Sequence, residues 1–265
     1  MRATWLTDIH LNFLRPLALK AFYDRVKEEQ PDALLITGDI AEGDSVAKYV
    51  SEMAEQIAPV YFVLGNHDYY RANIRVVRGD IPRASKRATY MPAVPPIKLT
   101  PEITMVGVDG WGDARCGDLA STVQLSDWNL IEDFKKTKTD RDARNEQLMR
   151  LGAAEARLLT DKLAAVEQTP ELLVLTHVPP YPEACVYDGE QSGPAWTPWF
   201  TCIATGEVLD AYAKSHPAQR ITVLCGHSHG IGSYQRLPNL EVKTGGWPPH
   251  VEGYGNPIVQ ATFEI

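Results

Sequence analysis

The chain has 265 residues, of which 44% are hydrophobic and 23% are charged, values that are ordinary for a globular protein. A chain of this length can bury a large core unaided, so we predict one domain spanning residues 1–265. The 34 acidic residues outnumber the 26 lysines and arginines, and the net charge of −8 disfavours binding to nucleic acid or to an anionic membrane surface.

The first part of the chain alternates short apolar runs with amphipathic ones. We predict strands at residues 3–6, 33–37 and 60–64, and helices at about 16–30 and 45–57. Pro16 suits the first turn of a helix, where its missing N–H has no partner to lose. Apolar strands that alternate with helices are typical of a parallel sheet covered on both faces, which defines an α/β fold.

The rest of the chain is less regular. Five prolines between residues 81 and 101 disfavour a helix there. Residues 109–137 and 178–204 are predicted to be long loops that either cap a site or mediate a dimer, and the oligomeric state stays open. Further strands are predicted at 103–108, 172–176 and 221–225, further helices at about 140–168 and 207–215, and antiparallel strands after about 232.

The cysteines and the first residues of the chain indicate the cellular compartment in which we expect the protein. Four cysteines lie far apart without a CxxC pair, which is not the pattern of a disulfide scaffold and favours a reducing compartment. Polar residues begin at Thr7 and Asp8, which leaves no room for the apolar core of a signal peptide. No run approaches the roughly 18 apolar residues of a membrane span. We therefore expect a cytoplasmic protein that does not contact a membrane.

Polar clusters follow five of the predicted strands, each at the point where the strand ends. Because ligands bind beyond the carboxyl ends of strands in α/β sheets, we expect these side chains to converge. They are carboxylates, imidazoles and an amide, all of which bind metals, and they include five of the seven histidines. The clusters are Asp8 with His10, Asp39, Asn66 with His67 and Asp68, His177, and His227 with His229.

Each cluster alone has an ordinary explanation. Asp-x-His and Gly-Asp pairs occur in many turns, and a lone histidine such as His177 is usually a hydrogen-bonded core residue. The tetrapeptide from Gly65 to Asp68 and the Gly-His-x-His run that begins at Gly226 are much rarer at average composition. Their occurrence in order, each at a strand end, indicates one metal-binding site.

These motifs, from Asp8 to His229, resemble the five motifs of the calcineurin-like metallophosphoesterase superfamily. The resemblance implies a two-sheet β-sandwich flanked by helices, with two metal ions at the strand ends. It assigns one metal to Asp8, His10, Asp39 and His229, and the other to Asp39, Asn66, His177 and His227. Asp39 would bridge the two metals, and His67 would lie beside the leaving group without binding metal.

The chemistry of this ligand set agrees with phosphoester hydrolysis. Two divalent cations and two carboxylates leave a local charge of about +2, which attracts a phosphate ester. The nitrogen and oxygen ligands suit Mn, Fe, Zn, Co or Ni and do not select among them. A metal-bridging hydroxide would attack phosphorus in line, and His67 would donate a proton to the departing alkoxide, with Asp68 or Glu42 orienting its ring.

The substrate is less constrained by the sequence. The loops after the ligand strands carry Tyr69, Arg71 and Tyr181, which we predict to contact a small phosphate ester. A phosphodiester, with a cyclic nucleotide as one candidate, is the first choice. The alternative is a phosphomonoester of a nucleotide, sugar or phosphoprotein, and the third is a scaffold that binds metal without catalysis. The aspartates at 109, 113, 118 and 127 are expected to be solvated loop residues.

Overall fold

The computed structural model describes residues 1–251 and 253–265, and these residues form thirteen β-strands and seven α-helices. The strands are β1 (Arg2–Leu6), β2 (Ala33–Thr37), β3 (Val60–Val63), β4 (Ala88–Tyr90), β5 (Ile97–Lys98), β6 (Ile103–Gly107), β7 (Glu171–Leu175), β8 (Val186–Tyr187), β9 (Glu190–Gln191), β10 (Arg220–Cys225), β11 (Gly232–Leu237), β12 (Leu240–Thr244) and β13 (Ala261–Glu264). The helices are α1 (Pro16–Glu28), α2 (Ser45–Gln56), α3 (Ile74–Asp80), α4 (Asp127–Leu130), α5 (Arg141–Ala164), α6 (Thr197–Phe200) and α7 (Ile203–Ser215).

The strands build two sheets and one short hairpin. The first sheet has the order β13-β1-β2-β3-β4, and all its pairs are parallel except that of β13 with β1. The second has the order β11-β12-β10-β7-β6-β5, with four parallel central strands and an antiparallel strand at each edge. Strands β8 and β9 form the hairpin.

Alternation along β2 shows how the sheets stack. Leu34 lies in the same hydrophobic cluster as Phe22 of α1, whereas its neighbour Leu35 clusters with Met105 and Leu175 of the second sheet. Because successive side chains of a strand point to opposite faces, helices cover one face of the first sheet and the second sheet covers the other.

The outer face of the second sheet is covered in the same way. Val174 and Val223 of this sheet share a cluster with Leu159 of α5 and Leu209 of α7. The protein therefore has two stacked, parallel-rich sheets flanked by helices, and the predicted fold class is confirmed. Within the described ranges, no helix has both the length and the apolar character needed to cross a bilayer.

Several predicted bounds need correction. Helix α5 ends at Ala164 rather than near residue 168, and α7 begins at Ile203 rather than at 207. The proline-rich segment contains β4, which pairs in parallel with β3 although it has only three residues. The predicted loops at 109–137 and 178–204 contain α4, and β8, β9 and α6, respectively. The tail is antiparallel at β11 and β13, but β12 lies parallel to β10.

Candidate metal centre

The carboxyl ends of β1 and β2 bring the first polar residues together. The loops after these strands stay paired, since the Asp8 N–H donates to Gly38 O at 3.1 Å and the His10 N–H donates to Asp39 O at 3.0 Å. Asp8, His10 and Asp39 have positive φ angles of 52°, 41° and 50°. Such left-handed backbone is uncommon outside glycine and clusters at functional sites, so the fold holds these loops at a conformational cost.

Four of the predicted metal ligands lie together in one group. Ligand atoms of Asp8, His10, Asp39 and His229 all lie within 4.8 Å of one another. His229 Nε2 is 3.4 Å from Asp8 Oδ1, and His10 Nε2 is 3.7 Å from Asp39 Oδ2. The structure therefore brings together the four residues that the resemblance assigns to one metal.

A second group of donors meets the other oxygen of Asp39. His177 Nε2 is 3.4 Å from Asp39 Oδ1 and 3.2 Å from Asn66 Oδ1. His177 Nδ1 lies 2.8 Å from Thr37 O, and because a carbonyl only accepts, Nδ1 carries the hydrogen and Nε2 presents its lone pair. Asp39 thus has an imidazole nitrogen near each of its two oxygens, so this carboxylate could be shared between two metal ions.

His227 is oriented by the segment at 178–204. Its Nε2 lies 3.2 Å from Trp199 O, so Nε2 donates and Nδ1 keeps the lone pair. Its ring centre is 4.9 Å from that of His177, and its backbone N–H donates to Asp8 Oδ1 at 3.1 Å. Trp199 was not identified from the sequence, because a carbonyl that accepts a hydrogen bond leaves no residue-specific pattern.

Two motif glycines have a steric reason to be present. A Cβ atom at residue 65 would lie 2.2 Å from Asp39 Oδ1, and one at residue 226 would lie 2.2 Å from Asp8 Oδ2. Both distances are far below van der Waals contact. Gly65 and Gly226 therefore allow their loops to approach the two carboxylates closely.

Burial shifts the pKa of nearly every titratable group in this cluster. It raises the pKa of Asp8 to about 7, and burial together with the charge of Asp8 raises that of Asp39 well above its ordinary value. Burial also lowers the pKa of His67 and His177 to about 3 and that of His229 to about 4. The lowered pKa values keep these histidines neutral near pH 7, and neutral imidazole is the form that binds metals. Because the histidines are neutral, they do not compensate the charge of the adjacent carboxylates.

The residues present fit divalent metal ions. Both ring nitrogens of His10 and Asp39 Oδ2 are buried without a hydrogen-bond partner, although buried polar atoms are nearly always paired. A cation bound between His10 and Asp39 would accept one imidazole lone pair and one carboxylate lone pair, and it would offset the two buried carboxylates. The donors are nitrogen and oxygen atoms, which suits the transition metals considered above.

The predicted orientation of His67 by Asp68 or Glu42 is wrong for this structure. Asp68 is fully buried, and its carboxylate accepts the backbone N–H groups of residues 40, 41 and 65 at 2.8–3.0 Å. It therefore ties the loops after β2 and β3 together and does not contact the imidazole. Glu42 instead forms an ion pair with Arg71.

Two tyrosines contact His67 instead, and one of them is bound to an aspartate. The hydroxyls of Tyr70 and Tyr254 lie 3.3 and 3.4 Å from His67 Nε2. Tyr70 donates its own hydrogen to Asp127 Oδ1 at 2.7 Å, and the same oxygen accepts from Asn66 Nδ2 at 2.9 Å. Asp127 thereby positions the amide whose oxygen faces His177 and, through Tyr70, the ring of His67.

Asp127 was missed because the loop aspartates were expected to be solvated. Asp109, Asp113 and Asp127 are buried, and only Asp118 of the four is exposed. Two tryptophans in the same segment, Trp111 and Trp128, are also buried. This apolar content is the signal that could have shown the segment to pack against the site rather than extend into solvent.

Two of the three predicted substrate contacts lie elsewhere. Tyr69 is fully buried with its hydroxyl 2.7 Å from Asp109 Oδ2, and Tyr181 is 5% exposed with its hydroxyl 3.0 Å from Gly206 O. Both are therefore packing residues in this structure, since their rings offer no surface to a substrate. Arg71 has an exposed side chain, and its role with substrate stays a prediction.

Two cavities meet at His229. The Tyr254 cavity has a volume of about 430 Å³ and is lined by Tyr187, Asp188, His229, Trp247, His250 and Tyr254, among others. The Trp196 cavity has a volume of about 460 Å³ and is lined by Tyr187, Glu190, Trp196, Phe200, Ser228 and His229, among others. Both volumes lie in the range of small-molecule sites.

Residues 1–230 match the family model of the calcineurin-like phosphoesterases. The chain therefore belongs to the calcineurin-like phosphoesterase family, as the motifs predicted, and the family supports a phosphoester hydrolase. The residues after 230 add β11 and β12 to one sheet and β13 to the other.

Individual relatives are more distant. A UDP-2,3-diacylglucosamine hydrolase of Stenotrophomonas maltophilia is 30% identical over an alignment of 97 positions, and the alignment covers 29% of this chain and 39% of that protein. A phosphopantetheinyl hydrolase from Mycobacterium tuberculosis has a TM-score of 0.67 at 18% identity, with 93% of this chain and 89% of that chain covered. A dimetal phosphatase from Danio rerio has a TM-score of 0.59 at 14% identity, with 96% and 90% covered. At these identities the two structures show a shared fold.

Proposed function

We propose that this protein is a dinuclear metal-dependent phosphodiesterase that acts on a small ester. The observation that carries the proposal is the position of Asp39, whose two oxygens lie near His10 and His177, in two separate groups of donors. Two divalent metal ions, when bound, supply the charge that activates a water molecule and stabilises the phosphoryl oxygens.

The proposed ligands are those that the motifs indicate. One metal would be held by Asp8, His10 and His229 and the other by Asn66, His177 and His227, with Asp39 shared between them. Support comes from the unpartnered atoms of His10 and Asp39 and from the tautomers that Thr37 O and Trp199 O impose on His177 and His227.

His67 is proposed to serve the leaving group. Its side chain is 13% exposed and its Nε2 lies between two tyrosine hydroxyls, so the ring is held at the edge of the donor cluster. In its protonated form, His67 would donate a hydrogen bond to the leaving oxygen and pass the proton as the P–O bond breaks, which leaves a neutral imidazole. Because burial lowers its pKa to about 3, this form needs the bound phosphoryl anion beside it to hold the proton. The result is one alcohol and one phosphomonoester.

Charge favours a diester over a monoester. Among the described residues that line the two cavities, none is a lysine or arginine, and both cavities carry an acidic side chain, Asp188 in one and Glu190 in the other. A diester has one negative charge and a monoester about two near neutral pH, so the diester needs less positive charge beyond the metals.

The proposal is tested with bis-p-nitrophenyl phosphate and p-nitrophenyl phosphate, each with protein loaded with Mn, Fe, Zn, Co or Ni. We expect diester turnover, two metal ions per chain, and loss of turnover in Asp39→Ala but not in Asp118→Ala, which removes an exposed carboxylate. A monoester preference would favour the alternative function. Absence of turnover with any metal, despite two bound ions, would favour a metal-binding scaffold.

The role of His67 needs leaving groups of different quality. A proton donor matters most when the leaving alkoxide is a strong base, so His67→Ala should slow alkyl esters by about 10²-fold and p-nitrophenyl esters much less. Equal losses on both kinds of ester would exclude the proton-donating role.

A further inference from the structure

Contacts between aromatic rings connect the Trp196 cavity to the metal centre. The ring of Phe200 lies 4.4 Å from that of His227 at an interplanar angle of 23°, and Trp196 packs against Phe200 at 5.7 Å. His229 lines the same cavity. A group attached to a phosphoryl centre at the metals would therefore reach this cavity directly.

The walls of the cavity favour an uncharged, apolar occupant. Trp196 and Tyr187 are 46% and 63% exposed, an unusual exposure for aromatic rings, and Phe200 adds a half-buried third ring. Glu190 is the acidic residue at the wall, and the described lining contains no cationic side chain to oppose it. Aromatic surface gains from apolar contact, whereas a second anion would meet Glu190 unfavourably.

The two cavities are suited to different arms of a diester. The Tyr254 hydroxyl lies 3.4 Å from His67 Nε2, and Tyr254 lines the Tyr254 cavity. We therefore expect the leaving group that His67 protonates to occupy the Tyr254 cavity. The Trp196 cavity shares Tyr187 and His229 with the Tyr254 cavity, but its Phe200 stacks on His227 rather than on His67. It is therefore positioned for the arm that stays on phosphorus.

We infer that the Trp196 cavity binds the retained arm of the substrate and selects an uncharged aromatic or similarly apolar group. This inference rests on the proposed function, because it places a phosphoryl group at the metal centre. It narrows the substrate class to esters with one phosphoryl group and a neutral apolar arm, and it disfavours arms that carry further phosphates or carboxylates.

Binding of phosphonates tests the cavity without requiring turnover. Phenylphosphonate and methylphosphonate have the same charged head and differ only in the arm, so calorimetry on metal-loaded protein compares the arms alone. We expect phenylphosphonate to bind about 10-fold or more tightly, since burying a phenyl ring is worth a factor of this order. Trp196→Ala should reduce that ratio by about 5- to 10-fold.

Two matched variants control for general effects of substitution. Tyr212→Ala removes a half-buried ring that stacks on His216 beyond the opposite end of β10, and it should leave the ratio unchanged. Val251→Ala removes an exposed apolar side chain from the Tyr254 cavity. It should leave the ratio unchanged as well, because the phenyl arm is expected in the other cavity.

Charge selectivity gives a second, independent readout. We expect 4-carboxyphenylphosphonate to bind about 10-fold more weakly than phenylphosphonate, because its carboxylate meets Glu190. Glu190→Lys should narrow this difference, whereas Glu167→Lys, the same charge change at an exposed residue before β7, should not. A narrowing of the same size in both variants would mean that the net charge of the protein, and not the cavity, sets the preference.

The results separate the cavity from the reaction. Equal affinities for phenylphosphonate and methylphosphonate in the wild type would overturn the inference, and so would an equal loss of both affinities in Trp196→Ala. A phenyl preference that Trp196→Ala removes would support it even if no diester were hydrolysed, in which case the proposed reaction alone would be wrong.

Discussion

Two clusters of buried carboxylates lie in this protein, and they are neutralised in different ways. In the first, Arg78 makes ion pairs with Asp109 Oδ2 at 2.8 Å and with Glu155 Oε1 at 2.7 Å. Its Nε donates to the hydroxyl of Tyr69 at 2.9 Å, and Tyr69 and Tyr90 both donate to Asp109 Oδ2. Buried carboxylate charge here is met by a cation that belongs to the chain.

The metal centre has the opposite arrangement. Asp8 and Asp39 are equally buried, yet the nearest ionisable groups are histidines whose pKa values burial lowers, as for His229. Buried atoms of His10 and Asp39 lack hydrogen-bond partners. The first cluster is neutralised within the chain, whereas the second leaves buried charge and lone pairs that a cation from solution could satisfy.

The largest effect is expected when the shared carboxylate is removed. Asp39→Asn keeps the shape of the side chain but removes its charge, so at least one metal should be lost and turnover should fall by about 10³-fold or more. Metal analysis per chain and initial rates would check this. Two tightly bound metals and near-normal rates in Asp39→Asn would show that Asp39 does not bridge.

A substitution in the Arg78 cluster should change the free energy of unfolding rather than the metal content. Arg78→Met leaves Asp109 and Glu155 buried without their cation, and removing one partner of a buried ion pair costs about 3 kcal/mol of unfolding free energy. Urea denaturation would measure the loss, with Arg83→Met as control, since the pair of Arg83 with Asp80 is exposed and contributes little. A change of similar size in both variants would mean that burial does not distinguish the pairs.

A smaller loss of metal affinity or activity is expected when Asp127 is removed. Asp127→Ala removes the acceptor that holds Asn66 and Tyr70, and loss of a group that orients metal ligands lowers metal affinity or activity by about 10- to 100-fold. Asp118→Ala, in the same segment but exposed, should have no effect. Metal titrations and rates would compare them, and equal behaviour of the two variants would remove Asp127 from the site.

The smallest change in unfolding free energy is expected for an ion pair at the surface, because water already screens its charges, unlike those of the two buried clusters. The hydrogen bond from Arg236 lowers the pKa of Asp210 below its ordinary 3.8. A lowered carboxyl pKa stabilises the fold above the unfolded value, and the contribution disappears as pH falls through the folded value. Asp210→Asn should therefore cost about 0.5 kcal/mol at pH 7, and the cost should shrink as the pH falls below the unfolded pKa. Thermal unfolding of both proteins across this pH range would test it, and a gap that does not shrink would point to packing.

Many local elements and the family could be predicted from the sequence, because each depends on neighbouring residues. Strand β2 was predicted at its observed bounds, since five consecutive apolar or small residues end at a Gly-Asp turn. The ordered motifs from Asp8 to His229 identified the family, because each motif is a short run of neighbouring residues that contains both the turn and the polar side chains.

Contacts between distant segments were decided by the tertiary structure. Asp68 was assigned to His67 because it is adjacent in sequence, but the fold directs its carboxylate to the backbone of other loops. Asp127 reaches Asn66 across 61 residues, a separation that no local pattern encodes. Tyr69 faces Asp109 rather than a substrate for the same reason.

The sequence by itself therefore determined the family and the strands β1, β2, β3, β6, β7 and β10, because strand ends and turn residues specify these within a few positions. It also predicted which side chains would bind metal. Only the tertiary structure decided which buried carboxylates are paired with a cation of the chain and which are not, and which aromatic rings line a cavity. Burial, charge compensation and cavity shape arise from segments that are far apart in the chain and meet only when the two sheets pack.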